Sequence, residues 1–351
     1  MAISKLEVTN FTVFRGQRHF EFARGINVFI GENATGKSHL LKLLYAVEAA
    51  IWDQQTHGKQ ARNVKFGPLE AHLKGLFRVE SLDALVSRGC TKAGARVDWE
   101  HGGRVAFTLG VEDVSPALST SALAQRPVFL PTREMLSVFP GFAETIRNRE
   151  LEFDETYIHL ADALNLPNLK GDALTRAKPL LAQVEDALGG REEEKGGRFY
   201  VTLDEETFEA HLVAEGLRKV ATLARLIRNG RISKETVLLW DEPETNLNPV
   251  LMRKVVAVLL ALARGGVQVF LASHDYLLTQ TLSLEAEHPQ PGLPPMRFIG
   301  LTRVRNGAVE VEQADTIAGI QHNPILQEHA RQYDLEVAAF ERDTRPKRRR
   351  K

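Results

Sequence analysis

The chain has 351 residues, and its 45 Lys and Arg balance 45 Asp and Glu, so no global charge draws it to nucleic acid or membrane. A hydrophobic content of 43% is that of an ordinary soluble globule, with length for one large α/β domain with insertions or two smaller ones. The single cysteine, Cys90, excludes an intrachain disulfide or a cysteine-built metal site and suits a cytoplasmic setting, while Lys5, Glu7 and Asn10 interrupt any leader-like apolar run and nothing is apolar enough to span a bilayer.

The first elements are a strand at Ile3–Phe11, a turn at Arg15-Gly16 and a strand at Arg18–Phe22. A short apolar strand, Asn27–Ile30, then runs into Gly31-Glu32-Asn33-Ala34-Thr35-Gly36-Lys37-Ser38 and a helix reaching about Trp52. This G-x-x-x-x-G-K-S order is what a phosphate cradle needs. Gly31 and Gly36 permit the backbone angles that turn N–H groups inward, and the helix start aims its positive end at the same anion. Lys37 is placed to reach the β and γ phosphates and the Ser38 hydroxyl to ligate Mg²⁺; His39 completes the candidate nucleotide-binding run.

A polar stretch from Asp53 to Asn63 reads as a surface loop, and residues 64–127 as an inserted arm. Leu69, Leu73, Leu76, Phe77, Leu82 and Leu85 have helical spacing over Phe66 to Arg88. Ala95–Glu100 and Arg104–Leu109 alternate around His101-Gly102-Gly103, a hairpin pattern. Val128-Phe129-Leu130 returns as a core strand ending at Pro131-Thr132-Arg133-Glu134, where Arg133 suits either a phosphate or partner contact or a surface ion pair. Glu144 to Gly190 reads as helical, Arg191 to Gly197 as an exposed turn, Arg198–Leu203 as a strand and Glu206 to Ile227 as a long helix.

Two further buried strands end in polar residues. Val237-Leu238-Leu239-Trp240 leads to Asp241-Glu242-Pro243, so two carboxylates stand where a parallel strand meets its ligand edge. Asp241 suits Mg²⁺ or a water bound to it, and Glu242 the orientation or deprotonation of an attacking water. Val267–Ala272 leads to Ser273-His274, and His274 is placed to hydrogen-bond a γ phosphate and that water. A helix at Tyr276–Leu284, a proline-rich loop from His288 to Pro295, strands at Met296–Thr302 and Ala308–Glu312 around Arg305-Asn306-Gly307, and a helix at Pro324–Phe340 follow. The chain closes on a basic run, Lys347–Lys351, suited to phosphate backbone, an acidic partner or solvent.

Phosphate loop, strand-Asp-Glu-Pro and strand-Ser-His, in that order, resemble the ATP-binding-cassette type of ATPase. The opening residues 3–11 and 25–33 are similar to its SMC, RecF and OLD branch. Asp241-Glu242-Pro243-Glu244-Thr245-Asn246-Leu247-Asn248-Pro249 is similar to soluble AAA-like, OLD-type ATPases of anti-phage systems. The resemblance implies an α/β P-loop head with a mixed sheet and an inserted helical and β-hairpin lid. The absence of heptads excludes a long coiled coil. Core is expected at 1–52 and 198–340 with 128–134, lid at 53–127 and 135–197, and a flexible tail at 341–351.

The resemblance further implies a segment that caps the ATP of a second copy, for which Ala214-Glu215-Gly216 is the candidate; a plain helix start is its rival. Ala34 departs from a frequent Gly in the phosphate loop, and Asn248 stands where a transporter has Asp. The implied function is a Mg²⁺-dependent ATPase that dimerises, or forms a higher homo-oligomer, around ATP. Catalysis would rest on Glu242, His274 and Lys37. With few residues after His274 for a nuclease module, a separate effector protein is expected, in anti-phage defence. A RecF-like DNA-repair ATPase is the alternative, leaving nucleic acid open as a partner, and a transporter subunit is less favoured; no membrane partner is expected.

Overall fold

A computed structural model describes residues 2–57, 66–110, 117–119, 123–139, 141–142, 145, 153–304 and 307–344. The Arg305-Asn306 turn and the basic run at 345–351 lie outside the described residues.

Strand β1 (Ile3–Phe11) turns through Thr12 and Val13 into β2 (Phe14–Glu21). The turn precedes the expected Arg15-Gly16 because Asn10 and Thr12 both take φ of 50° and the Asn10 carboxamide oxygen accepts the Gly16 N–H at 2.8 Å. Strand β3 (Ile26–Gly31) feeds α1 (Lys37–His57), which carries on through Asp53 where a loop was expected. Helix α2 (Phe66–Phe77) stops short of Arg88: Arg78 takes φ 54°, and a 3₁₀ turn at Leu82–Leu85 follows.

Strands β4 (Ala93–Trp99) and β5 (Arg104–Leu109) form the hairpin expected from the alternating residues. It does not stand apart as a lid element. β4 pairs antiparallel with β1, with Leu6 opposite Val97 and Thr9 opposite Gly94, in a five-stranded sheet ordered β2-β1-β4-β5-β6, where β6 is Ala117–Ser119. The alternate residues Ala93, Ala95, Val97 and Trp99 are buried toward α1 and α2, which gives the hairpin its apolar face.

After β7 (Val128–Leu130) come α3 (Glu155–Leu164) and α4 (Gly171–Leu188). The stretch expected as an exposed turn is β8 (Gly190–Lys195), paired with β9 (Arg198–Leu203) across Gly196 and Gly197, both at positive φ. Its charge does not keep it in solvent, because Glu192 is fully buried with its carboxylate 3.4 Å from Arg228 Nε. The long helix expected from Glu206 begins instead as β10 (Glu206–Glu209), turned from β9 by Asp204 and Glu205 at φ 46° and 70°. Helix proper, α5, is Glu215–Arg228.

The remaining elements are β11 (Val237–Asp241), α6 (Pro249–Arg264), β12 (Gln268–Ser273), α7 (Tyr276–Glu287), β13 (Met296–Arg303), β14 (Val309–Ala314) and α8 (Pro324–Thr344). They complete a six-stranded mixed sheet, β14-β13-β3-β12-β11-β7, in which only β14 runs antiparallel. Side chains alternate across it. Val28, Ile30, Leu238, Trp240, Val269 and Leu271 pack against α3 to α7, whereas Phe29, Leu239, Phe270 and Ala272 pack against α1 and the antiparallel sheet. Among the described residues no helix forms a long coiled coil, and none is long and apolar enough to cross a membrane.

Glu48 ties α1 to the antiparallel sheet: fully buried, it accepts the Trp99 Nε1–H at 2.7 Å. Burial pushes its carboxyl up to about 7, although the Trp99 bond pulls it down. The folded chain therefore holds a proton here that the unfolded chain has released, so stability falls as pH rises from about 4.5 to 7. In urea unfolding the wild type should lose on the order of 2–3 kcal/mol over this window relative to Glu48→Gln. A wild-type minus variant difference that is flat with pH would contradict the assignment.

Candidate functional site

Three parallel strands deliver their termini to one edge. β3 releases the loop Gly31–Ser38, β11 ends on Asp241 and β12 on Ser273, and the order β3-β12-β11 sets them side by side. This is the carboxyl edge at which open α/β sheets accept ligands. Ser38 Oγ donates to Asp241 Oδ1 at 2.9 Å, joining residues 203 apart in sequence.

Both loop glycines are required by close approach. A Cβ on Gly31 would fall 2.4 Å from the Leu301 carbonyl oxygen, and one on Gly36, at φ +93°, would fall 2.7 Å from Phe14 and Val13. Ala34 also sits in the left-handed region at φ +62°, a cost of about 1 kcal/mol for a residue with a Cβ. Lys37 Nζ donates to the carbonyls of Gly31 at 2.7 Å and Glu32 at 2.9 Å, and Thr35 Oγ1 donates to Glu32 O at 2.8 Å. Burial lowers the Lys37 pKa against the pull of Glu242, Asp241, Glu244 and Glu32, so these groups share one electrostatic neighbourhood. Glu32, Asn33 and Ala34 are exposed at the tip.

The His39 ring lies 5.6 Å from Phe77 and its buried Nδ1 has no hydrogen-bond partner. Its side chain thus belongs to the α1–α2 packing. Its main-chain N–H is in the first turn of α1, among those a helix leaves without internal partners.

Burial raises the Asp241 carboxyl to about 6, with Glu242 adding to the rise and the Ser38 bond, Lys42 and Lys37 opposing it. A desolvated carboxylate beside a hydroxyl is an all-oxygen donor pair, which fits a hard ion such as Mg²⁺. Glu242 sits at φ +48°, pinned by its N–H to the Ala272 carbonyl at 2.9 Å. Its Oε1 is 3.4 Å from His274 Nδ1. Asp241, Glu242 and His274 are therefore brought to the phosphate loop.

Two buried groups that sequence reasoning missed hold this edge. Glu244 Oε1 accepts the Ser273 hydroxyl and the His274 N–H, both at 2.9 Å, and lies 3.5 Å from His274 Nδ1. Burial raises its pKa. Its only sequence signal was its place in the Asp-Glu-Pro-Glu run. Lys219 on α5 donates to the Thr245 carbonyl at 2.8 Å, and no spacing marks it. Arg133 is exposed, and the neighbouring Glu134 takes the ion pair, with Arg218 Nε at 2.6 Å.

Ala214, Glu215 and Gly216 are not brought to this cluster within one chain. They line a separate cleft with Asn246, Asn248, Leu251 and Lys254. Ala214 is the N-cap of α5 and supplies no side-chain cap, which leaves the helix N–H groups open. Gly216 admits the Leu247 and Leu251 side chains, which a Cβ would meet at 2.7 and 2.6 Å. Asn248 caps α6 by accepting the Leu251 N–H at 2.8 Å.

A glycine loop between a parallel strand and a helix, with a serine hydroxyl set on the aspartate of a neighbouring strand, defines a P-loop protein. By sequence, residues 98–279 match the family described as "AAA domain, putative AbiEii toxin, Type IV TA system". That is more than half the chain, and the chain belongs to this family. Residues 5–152 also match a second AAA domain family. No curated protein matches the chain. Among solved structures, an SMC head bound to the C-winged helix domain of ScpA is 13% identical, covers 90% of this chain and 98% of its own, and has a TM-score of 0.55. An Smc head domain with an extended coiled coil, bound to the C-terminal domain of ScpA derived from Pyrococcus furiosus, is 12% identical over 93% and 99%, with a TM-score of 0.51. The fold is that of an SMC head, and the P-loop lies within the part of the chain matched by an AAA domain family.

Glu244→Ala leaves the Ser273 hydroxyl and the His274 N–H without their acceptor and should lower stability by about 2–4 kcal/mol in urea unfolding. Glu244→Gln keeps one accepting oxygen and should lose less than half as much. Equal losses in the two variants would show that the carboxylate oxygen is not what anchors His274.

Proposed function

We propose that the chain is a Mg²⁺-dependent ATPase that closes as a homodimer around ATP and thereby controls a separate effector in toxin–antitoxin or anti-phage defence. The observation that carries this reading is the convergence of Ser38, Asp241, Glu242 and His274 on the loop Gly31–Ser38. The triphosphate would lie along the loop N–H groups and the first turn of α1, with Lys37 exchanging its loop carbonyls for phosphate oxygens. Ser38 and Asp241 would hold the metal ion, which when bound neutralises phosphate charge.

Glu242 is the group for accepting a proton from the attacking water, and His274 orients that water and reads the γ phosphate. Ala214–Gly216 of a second copy would bring the uncapped start of α5 to the γ phosphate. The link between that helix and the site supports coupling: Lys219 holds the loop at Thr245, and Arg218 holds Glu134 at the end of the segment after β7.

The defence setting is supported by the family description, which names a toxin and a Type IV toxin–antitoxin system. The similar SMC heads were crystallised with a domain of a separate protein, which supports a head of this fold serving as a docking platform.

Glu242→Gln should lower turnover by at least about 10²-fold while leaving ATP affinity within a few-fold. Light scattering should show the variant doubling in mass with ATP and Mg²⁺. A variant that stays at monomer mass with ATP bound would remove the dimer from this reading, and a wild type that binds no ATP would remove the whole of it.

A further inference from the structure

Further along α1 from the phosphate loop, three helices close on polar side chains that the nucleotide site does not use. α1 contributes Tyr45 and Asp53, α2 contributes His72, and α3 contributes Glu155 and His159. His72 is buried and Glu155 and His159 are half-buried, and one donor atom from each lies within 4.8 Å of the others. We propose that His72, Glu155 and His159 bind a divalent ion of the zinc class, which clamps α2 and α3 onto the helix that leaves the phosphate loop.

Four observations carry this. The donor set is two imidazoles and one carboxylate, which suits zinc and is unlike the oxygen pair at Ser38 and Asp241. His72 Nδ1 and Glu155 Oε2 stand 3.4 Å apart, long for a charged hydrogen bond. Two donors on one tetrahedral zinc, each about 2.0–2.1 Å from the ion, stand roughly 3.3 Å apart.

Each imidazole is also oriented through its other nitrogen. His72 Nε2 is 2.9 Å from Asp53 Oδ2, and His159 Nδ1 is 3.0 Å from the Tyr45 hydroxyl. This leaves Nδ1 of His72 and Nε2 of His159 for the ion, and such outer partners are characteristic of histidines that ligate metals. Arg126 approaches the other oxygen of Asp53, Oδ1, at 4.0 Å, so it balances that carboxylate without occupying a ligand atom.

Room for the carboxylate is built into α2. A Cβ on Gly75 would fall 2.0 Å from Glu155 Cδ, so the helix carries a glycine where Glu155 crosses it. A glycine inside a helix is unfavourable against alanine, and the passage of Glu155 accounts for it here. The neighbouring Asp154 pairs with Lys42 of α1 at 2.7 Å, so the clamp continues a contact already made between α1 and α3.

The test uses the full chain freed of metal by a chelator, without nucleotide or Mg²⁺, and given zinc alone. About one zinc per chain should survive desalting. Ser38→Ala should retain it. His159→Gln and Glu155→Gln should bind at least about 100-fold more weakly, and Tyr45→Phe, which removes only an outer partner, about 10-fold more weakly. Cobalt added in place of zinc should give the intense visible absorption of a tetrahedral site in the wild type, lost in His159→Gln. If the cluster is only an imidazolium held between two carboxylates, zinc will not be retained and the cobalt spectrum will be that of a weakly absorbing octahedral ion; either result overturns the proposal. So does zinc lost in Ser38→Ala yet kept in His159→Gln. Should His159→Gln fail to fold, the wild-type cobalt spectrum and Tyr45→Phe still decide the question.

Discussion

The hydrogen bond from Ser38 to Asp241 is the contact on which the rest of the edge depends. It can form only because β3, β12 and β11 lie parallel and in that order, which carries the end of the first strand to the end of one more than two hundred residues later. Strand order is in turn enforced by burial. Each strand is covered on both faces, by the helical layer on one side and by α1 with the antiparallel sheet on the other, so its central side chains are apolar. Polar side chains then gather toward the strand ends, Asn27 and Gln268 at the starts of β3 and β12 and Asp241 and Ser273 at the carboxyl edge.

That edge is held under backbone strain and braced from beneath. Ala34, Glu242 and Asn246 all take left-handed φ, at 62°, 48° and 62°, although none is glycine. Each such residue costs on the order of 1 kcal/mol or more and persists only where its surroundings over-determine it. Around Glu242 and Asn246, the Ala272 carbonyl, the Glu244 carboxylate and Lys219 supply that determination. The bracing is shared with α5, whose first turn is the open helix start at Ala214, so loop and helix are linked through hydrogen bonds rather than through a hinge.

The parts legible in the sequence are those whose chemistry forces a residue type at a fixed place. The G-x-x-x-x-G-K-S loop had its strand and helix readable on either side, and the apolar runs ending at Asp241 and Ser273 could be read as buried parallel strands. Less legible were elements whose identity depends on a distant partner. Glu192 reads as a solvent charge until Arg228 is known to lie beside it, so β8 looked like a turn. β10 exists because Asp204 and Glu205 turn it back on β9, which outweighs its helical composition. The hairpin of β4 and β5 was readable as a hairpin, but its attachment to β1 was not, since register across some ninety residues leaves no local mark. Glu244 and Lys219 were hidden for the same reason: a buried charge is recognised by what it touches.

The central claim is that Ser38 and Asp241 act together on one metal–triphosphate ligand. ATP affinity measured with and without Mg²⁺ for the wild type, Ser38→Ala, Asp241→Asn and the double variant tests it most directly. With Mg²⁺ each single change should weaken binding at least about 10-fold and the double change little more, a coupling of at least about 1 kcal/mol. Without Mg²⁺ the four proteins should agree within a few-fold. Losses that simply add, or that are the same with and without Mg²⁺, would contradict the account.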